Sequence, residues 1–251
     1  IGTCHNCDTP FQLHTYKRKG KAEREYVIPT EINSQKTINR PETDKTIQWF
    51  KTRGISKQTL DELKVSVGKE YMPQTNNTEN TIQFNYYVGG QLTNIKYRDA
   101  RKNFKLYKGA EKVFYNIDSI VGHDDCVIVE GEMDVLALHE AGITNAISVP
   151  NGATLNTNNL DYLDNCIDYF EDKKKIIIAV DNDPPGVALQ QELIRRLGAE
   201  VCFISTFDDC KDANEYLLKY SAKDLLSRIK QAHPVPLENV TTFRDIEDEV
   251  T

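Results

Sequence analysis

From residue 126 onward the chain alternates short apolar runs with amphipathic stretches. Residues 126–130 read as a strand, and 132–141 as a helix with Val135, Leu136 and Leu138 inward and Gly142 ending it. A strand over 145–149 runs into Pro150-Asn151-Gly152, and a helix follows around 158–170. The pattern repeats as strand 176–180, helix 186–197 closed by Gly198, strand 201–205, and a helical stretch over 212–231. Strand–helix alternation of this kind predicts a parallel sheet with helices on both faces. The run Ile176-Ile177-Ile178-Ala179-Val180 is apolar on both of its faces, as a strand inside such a sheet must be.

The first half follows a different pattern. Residues 43–64 read as two helices, the first capped by Thr43 or Asp44 and broken by Gly54, the second capped by Ser56 with Leu60 and Leu63 inward. The single Trp49 is expected in the core. Residues 81–107 alternate as strands: Ile82, Phe84 and Tyr86, a Gly89-Gly90 hairpin turn, then Leu92, Ile95 and Tyr97. Period-two alternation puts Lys96 and Arg98 on one face of the second strand. Residues 17–40 read as a polar linker with a solvated basic run (Lys17-Arg18-Lys19-Gly20-Lys21), and 232–251 as an outgoing linker with Pro234 and Pro236.

Charge changes the picture. The net charge of −7 argues against a polyanion partner, but it hides a strong asymmetry. Residues 1–115 carry 20 Lys and Arg against 12 Asp and Glu, a net of +8; residues 116–251 carry 11 against 26, a net of −15. A basic half beside an acidic half suits an enzyme that handles polyanions with a divalent metal. No apolar run is long enough to span a membrane and no targeting signal is visible. The chain begins at Ile1 and reads as an excised fragment. Of six cysteines, several sit in strand-like apolar stretches as buried thiols, which favours a reducing, cytosolic setting. Cys4 and Cys7 form a Cys-x-x-Cys knuckle, half of a zinc ribbon. Zn²⁺ is expected there only with the missing half, and a chance pair in a frayed terminus is the alternative.

Two strands end on carboxylates. Val-Ile-Val-Glu-Gly-Glu-Met-Asp (127–134) supplies Glu130 and Asp134, and Ala-Val-Asp-Asn-Asp-Pro-Pro-Gly (179–186) supplies Asp181 and Asp183. Functional groups gather outside the carboxyl ends of strands in an open parallel sheet, so side-by-side strands would bring Glu130, Asp181 and Asp183 together. Carboxylates packed that closely repel unless a cation neutralises them, and oxygen ligands favour Mg²⁺ or Mn²⁺. A metal site for phosphoryl chemistry is the expectation. Glu132, Asp124, Asp125, Asp164 and Asp168 read as solvated surface, and Lys173-Lys174-Lys175 as a cap on a helix C-terminus.

These residues resemble the Toprim family, whose hallmarks are a glutamate after the first strand and a later D-x-D: here Glu130, and Asp181-Asn182-Asp183 followed by Gly186. Within it, the order of motifs is similar to the primase half of phage primase–helicases and their Twinkle-like and DnaG-type relatives. Lys96-Tyr97-Arg98-Asp99 and Lys102-Asn103-Phe104-Lys105 match a basic segment before the Toprim strand, and Cys210-Lys211-Asp212-Ala213-Asn214-Glu215 a late motif.

The resemblance implies an α/β Toprim domain with a central parallel sheet over 116–231, and a smaller basic α+β subdomain over 41–115. It also implies a zinc-ribbon remnant at 1–16 and a linker toward a helicase domain beyond 232. The implied activity is DNA primase: metal-dependent nucleotidyl transfer making short RNA primers from ribonucleoside triphosphates on single-stranded DNA. Asp181 and Asp183 would be metal ligands, with Asp134 and Asp212 contributing and Glu130 either sharing a metal or taking the 3′-hydroxyl proton. Lys96, Arg98, Lys105 and Lys108 would contact nucleotide or template. A helicase in the parent chain and a cytoplasmic setting, bacterial or phage-infected, complete the expectation. A topoisomerase would need a gate domain for which 251 residues leave no room. An OLD-type nuclease would not explain the basic strands or the cysteine pair, and a binding module that had lost activity would lack the acids.

Overall fold

The computed structural model describes residues 2–3, 10–11, 25–29, 41–153 and 160–236. Strands β1 (Gly2–Thr3) and β2 (Pro10–Phe11) pair antiparallel. Cys4 and Cys7 lie outside the described residues, as does most of the expected linker over 17–40.

Helices α1 (Pro41–Thr52) and α2 (Lys57–Glu62) are separated by Gly54, whose φ of 73° only glycine adopts freely. The Ser56 hydroxyl accepts from the Thr59 N–H at 3.2 Å, the expected cap, and Leu60 and Leu63 are buried. An antiparallel sheet follows in the order β3 (Ser66–Met72), β4 (Asn77–Val88), β5 (Gln91–Asp99), β6 (Phe104–Leu106). The β4–β5 turn has positive φ at both Gly89 and Gly90, as a tight two-residue hairpin requires. Alternation divides this sheet cleanly. Ile82, Phe84 and Tyr86 enter the main core, while Met72, Leu92, Ile95 and Tyr97 make a small cluster on the other face.

The second sheet is built from β7 (Asp125–Val129), α3 (Glu132–Glu140), β8 (Ala146–Ser148), α4 (Asp161–Cys166) with a 3₁₀ turn (Ile167–Phe170), β9 (Lys175–Ile178), α5 (Pro184–Leu197), β10 (Cys202–Ile204), α6 (Ala213–Lys219), α7 (Ala222–Lys230) and β11 (His233–Pro234). The strand order is β11-β10-β9-β7-β8, with β8, β7, β9 and β10 parallel. The sheet is not wholly parallel. Residues 233–234, expected in a linker, pair antiparallel with β10, and the missing N–H of Pro234 is tolerated because this is an edge.

Both sheets share one core, since Phe84, Tyr86 and Tyr115 cluster with Val127, Ile128 and Leu136. Cys126, Cys166, Cys202 and Cys210 are buried thiols outside any disulfide. Lys173 is buried as well, and its ammonium donates to the carbonyls of Ile120 (2.6 Å) and His123 (2.5 Å). It caps the 3₁₀ turn Ile117–Ile120 by direct hydrogen bonds, a stronger arrangement than the dipole complement expected of the lysine run.

Candidate active-site cleft

Chain direction creates the site. From β7 the chain passes through α3 to β8 on one side; β9 lies on the other side of β7 and leads through α5 to β10. The crossover connections diverge between β7 and β9, and ligands bind at such a switch point. Ile128 stands opposite Ile178 in this pair, so Glu130 and Asp181 leave neighbouring strands at the same end.

Local geometry aims each acid. Glu130 Oε1 accepts from the Ala153 N–H at 3.0 Å, as the loop after β8 folds over it with Gly152 at φ 66°. Asp134 is buried in the first turn of α3, and its Oδ1 accepts from the Asn214 N–H at 3.3 Å. Asp183 caps α5 by accepting from the Gly186 N–H at 2.9 Å, and Pro184 and Pro185 fill positions whose N–H groups would have no helical partner. Gly186 is obligatory: a β-carbon there would overlap the Asp181 carbonyl, 2.9 Å from its carbon. Asp212 caps α6 by accepting from the Glu215 N–H at 2.7 Å.

The acids feel one another. Burial, then the charges of Asp181 and Asp183, raise the Glu130 carboxyl above its ordinary range. Burial, then Asp212, Asp181 and Glu130, push Asp134 well up. Asp181 is raised by burial, with Lys211 opposing at 3.1 Å. Glu130 Oε2 is buried without a hydrogen-bond partner. An orphaned carboxylate oxygen among repelling acids is the donor chemistry a divalent cation needs, so the residues fit such an ion. As the side chains stand, however, no three acids, cysteines or histidines among the described residues converge on one metal position. Among the described residues, the Lys211 ammonium is in contact with the shelf, against Asp181.

Facing Glu130, Asp134, Asp181 and Asp212 across a cleft of about 570 Å³ is the β4–β5–β6 sheet; Asp183, at the cap of α5, is not among the lining residues. Lys96 and Arg98 do share its inner face, opposite Phe84 and Ile82. Lys96 is buried, though, and its ammonium lies 2.9 and 3.0 Å from the two oxygens of Glu132, which also accepts from the Tyr86 hydroxyl. Glu132 was expected on the solvated surface; it is buried because this pair joins β5 to the start of α3. Trp49 was expected in the core; it is half-buried in the cleft wall, with the Arg98 guanidinium 4.6 Å and the Arg53 guanidinium 5.4 Å from its ring centre. Among the described residues neither arginine has a carboxylate ion partner, and burial, then Arg53, lower the Arg98 pKa.

Lys105 and Lys108, expected to contact nucleotide or template, stand differently from Lys96 and Arg98. Lys105 borders the cleft, but its ammonium is held by Glu70 at 2.6 Å beside the Tyr97 ring, on the far face. Lys108 is exposed in the turn after β6 and does not line the cleft. Arg53, Lys102, Lys211 and Asn214 line it and were not named as site residues. Lys211 and Asn214 lie within the quoted Cys-Lys-Asp-Ala-Asn-Glu motif, whereas nothing in the local pattern marks Arg53.

A Toprim-like family profile matches residues 127–217, the segment that carries all five acids. The primase homolog protein of Arabidopsis thaliana is 35% identical over 237 residues, covering 88% of this chain and 67% of that protein. The chain belongs to the Toprim primase family. The Arabidopsis Twinkle homolog protein, chloroplastic/mitochondrial, is 34% identical over 227 residues, and the chain spans only 31% of that protein's length. The primase fragment of the bacteriophage T7 primase-helicase superimposes with a TM-score of 0.61 at 25% identity, over 71% of this chain and 72% of that one.

Proposed function

We propose that the chain is the primase part of a longer replication protein, joining ribonucleoside triphosphates into short RNA primers on single-stranded DNA. The observation that carries this reading is the cleft itself, with an acid shelf on one wall and uncompensated guanidinium groups on the other. A polyanion reacting at a divalent ion needs both. The names of the plant relative and of the T7 fragment support the same reading.

Asp181, Asp183 and Glu130 would hold Mg²⁺ or Mn²⁺, with Asp134 behind them and Asp212 at the rim. A bound ion would neutralise the triphosphate and polarise its α-phosphorus. Arg98 and Arg53 bind phosphates, with Trp49 as the surface on which a base or a guanidinium stacks. Glu130, whose carboxyl is already raised, would accept the 3′-hydroxyl proton if it does not ligate the metal. Lys96 fixes Glu132 and the angle between the walls. The reading includes a helicase in the parent protein and a zinc ribbon of which Cys4 and Cys7 are the last pair. The cellular setting is the cytoplasm, or the organelles named for the Twinkle homolog. No helix among the described residues is long and apolar enough to cross a membrane.

The test is incorporation of labelled ribonucleotides on a single-stranded DNA template with Mg²⁺. Wild-type protein should give short RNA products, and Asp181→Asn or Asp183→Asn should give none while keeping the fold. Degradation of the template without synthesis would replace this reading with a nuclease.

A further inference from the structure

We propose that Lys211 is the resident cation of the acid shelf: it occupies the place against Asp181 until a divalent ion arrives, and then carries its ammonium to the phosphates of the incoming nucleotide. This rests on the primase reading and adds a residue to it.

Three observations carry the inference. The Lys211 ammonium is 3.1 Å from Asp181 Oδ2, inside the shelf, at a point where no three ligands converge as the side chains stand. Its main chain is pinned while its side chain is exposed. The Lys211 N–H donates to Glu215 Oε2 at 2.7 Å, and Glu215 in turn donates its own N–H to Asp212. The side chain nevertheless remains 64% exposed. Lys211 and the basic wall line the same cleft, so a phosphate bound there would lie within the sweep of the lysine stem with the backbone in place. A lysine suits this exchange, being a compact point charge on a flexible stem.

The experiment titrates MnCl₂ into metal-free protein, following free Mn²⁺ by electron paramagnetic resonance. A second titration at saturating Mn²⁺ uses a ribonucleoside triphosphate with a methylene bridge between its α and β phosphates. Lys211→Gln should bind Mn²⁺ about two- to fivefold tighter, the worth of an exposed ion pair removed from competition. The same variant should bind the analogue about tenfold more weakly, the loss of a charge-assisted hydrogen bond. Lys211→Arg should restore analogue binding, and Lys102→Gln should leave Mn²⁺ affinity at the wild-type value.

Unchanged or weaker Mn²⁺ binding by Lys211→Gln would overturn the inference, as would an equal gain in Lys102→Gln or unchanged analogue binding. In those cases the primase reading stands, because wild-type protein still binds the ion. Absence of Mn²⁺ binding by wild-type protein would remove the metal reading and this inference together.

Discussion

Lys96, on the basic sheet, and Glu132, at the start of α3, meet in a two-pronged ion pair at 2.9 and 3.0 Å, with side chains only 10% and 5% exposed. This bond fixes where the cationic wall stands relative to the acids. Removing one partner leaves a buried charge uncompensated, at a cost of about 3–5 kcal/mol. Glu132→Gln should therefore lower the denaturation midpoint sharply. Lys96→Met combined with Glu132→Leu should recover most of that stability, because both charges leave together, yet still bind nucleotide poorly. Chemical denaturation of the two variants checks this; equal destabilisation would mean the pair is not coupled.

Gly186 and Asp181 give a second expectation. Any β-carbon at position 186 meets main-chain atoms of Asp181 that cannot step aside. Gly186→Ala should displace the start of α5, lose activity as completely as Asp181→Asn, and unlike Asp181→Asn also lower the melting temperature. Thermal melts of the two variants separate a backbone effect from a ligand effect.

Much of this site was legible because its signals are local. Continuous apolar runs marked β7 and β9, and acids at their ends located the shelf. Ser56 declared its cap, whereas the helix expected from 186 begins at Pro184 with Asp183 as its cap. What stayed hidden depends on partners far apart in sequence. Glu132 looked like surface because Lys96 is 36 residues away on β5, and nothing local marks Arg53, because Arg98, which shares the Trp49 ring with it, comes from a distant strand. Strand β3 was missed because Ser66, Gly68 and Glu70 blunt its alternation, and β11 because two residues, one of them a proline, carry no strand pattern.

Asp134 makes a pH-dependent prediction. Its carboxyl is raised in the fold first by burial and then by Asp212, Asp181 and Glu130, so the folded state prefers it protonated. The stability this confers is fully present below the unfolded value of 3.8 and is lost as pH rises through the higher folded value. Glu130 and Asp181 are raised in the same direction. Without metal, Asp134→Asn should melt close to wild type at about pH 4 and above it at about pH 8. The amide keeps an acceptor for the Asn214 N–H. Adding Mg²⁺ should raise the wild-type melting temperature more than that of the variant. A constant difference across pH would show that Asp134 is not titrating against its neighbours.

The basic wall can be tested through salt. Each phosphate contact on single-stranded nucleic acid contributes about 0.7 to the slope of log affinity against log salt. Arg98→Ala and Arg53→Ala should each flatten that slope by about this amount for single-stranded DNA. Base stacking is nearly independent of salt. Trp49→Ala, which removes the ring beneath both guanidinium groups, should cost about 1–3 kcal/mol of affinity while changing the slope less than either arginine variant. Lys173→Ala supplies the contrast. Its ammonium is buried against the carbonyls of Ile120 and His123, so the variant should lose stability and keep its salt slope. Fluorescence anisotropy at two salt concentrations for the four variants decides the matter. If Lys173→Ala flattens the slope as much as Arg98→Ala, the polyanion does not lie along the Trp49 wall.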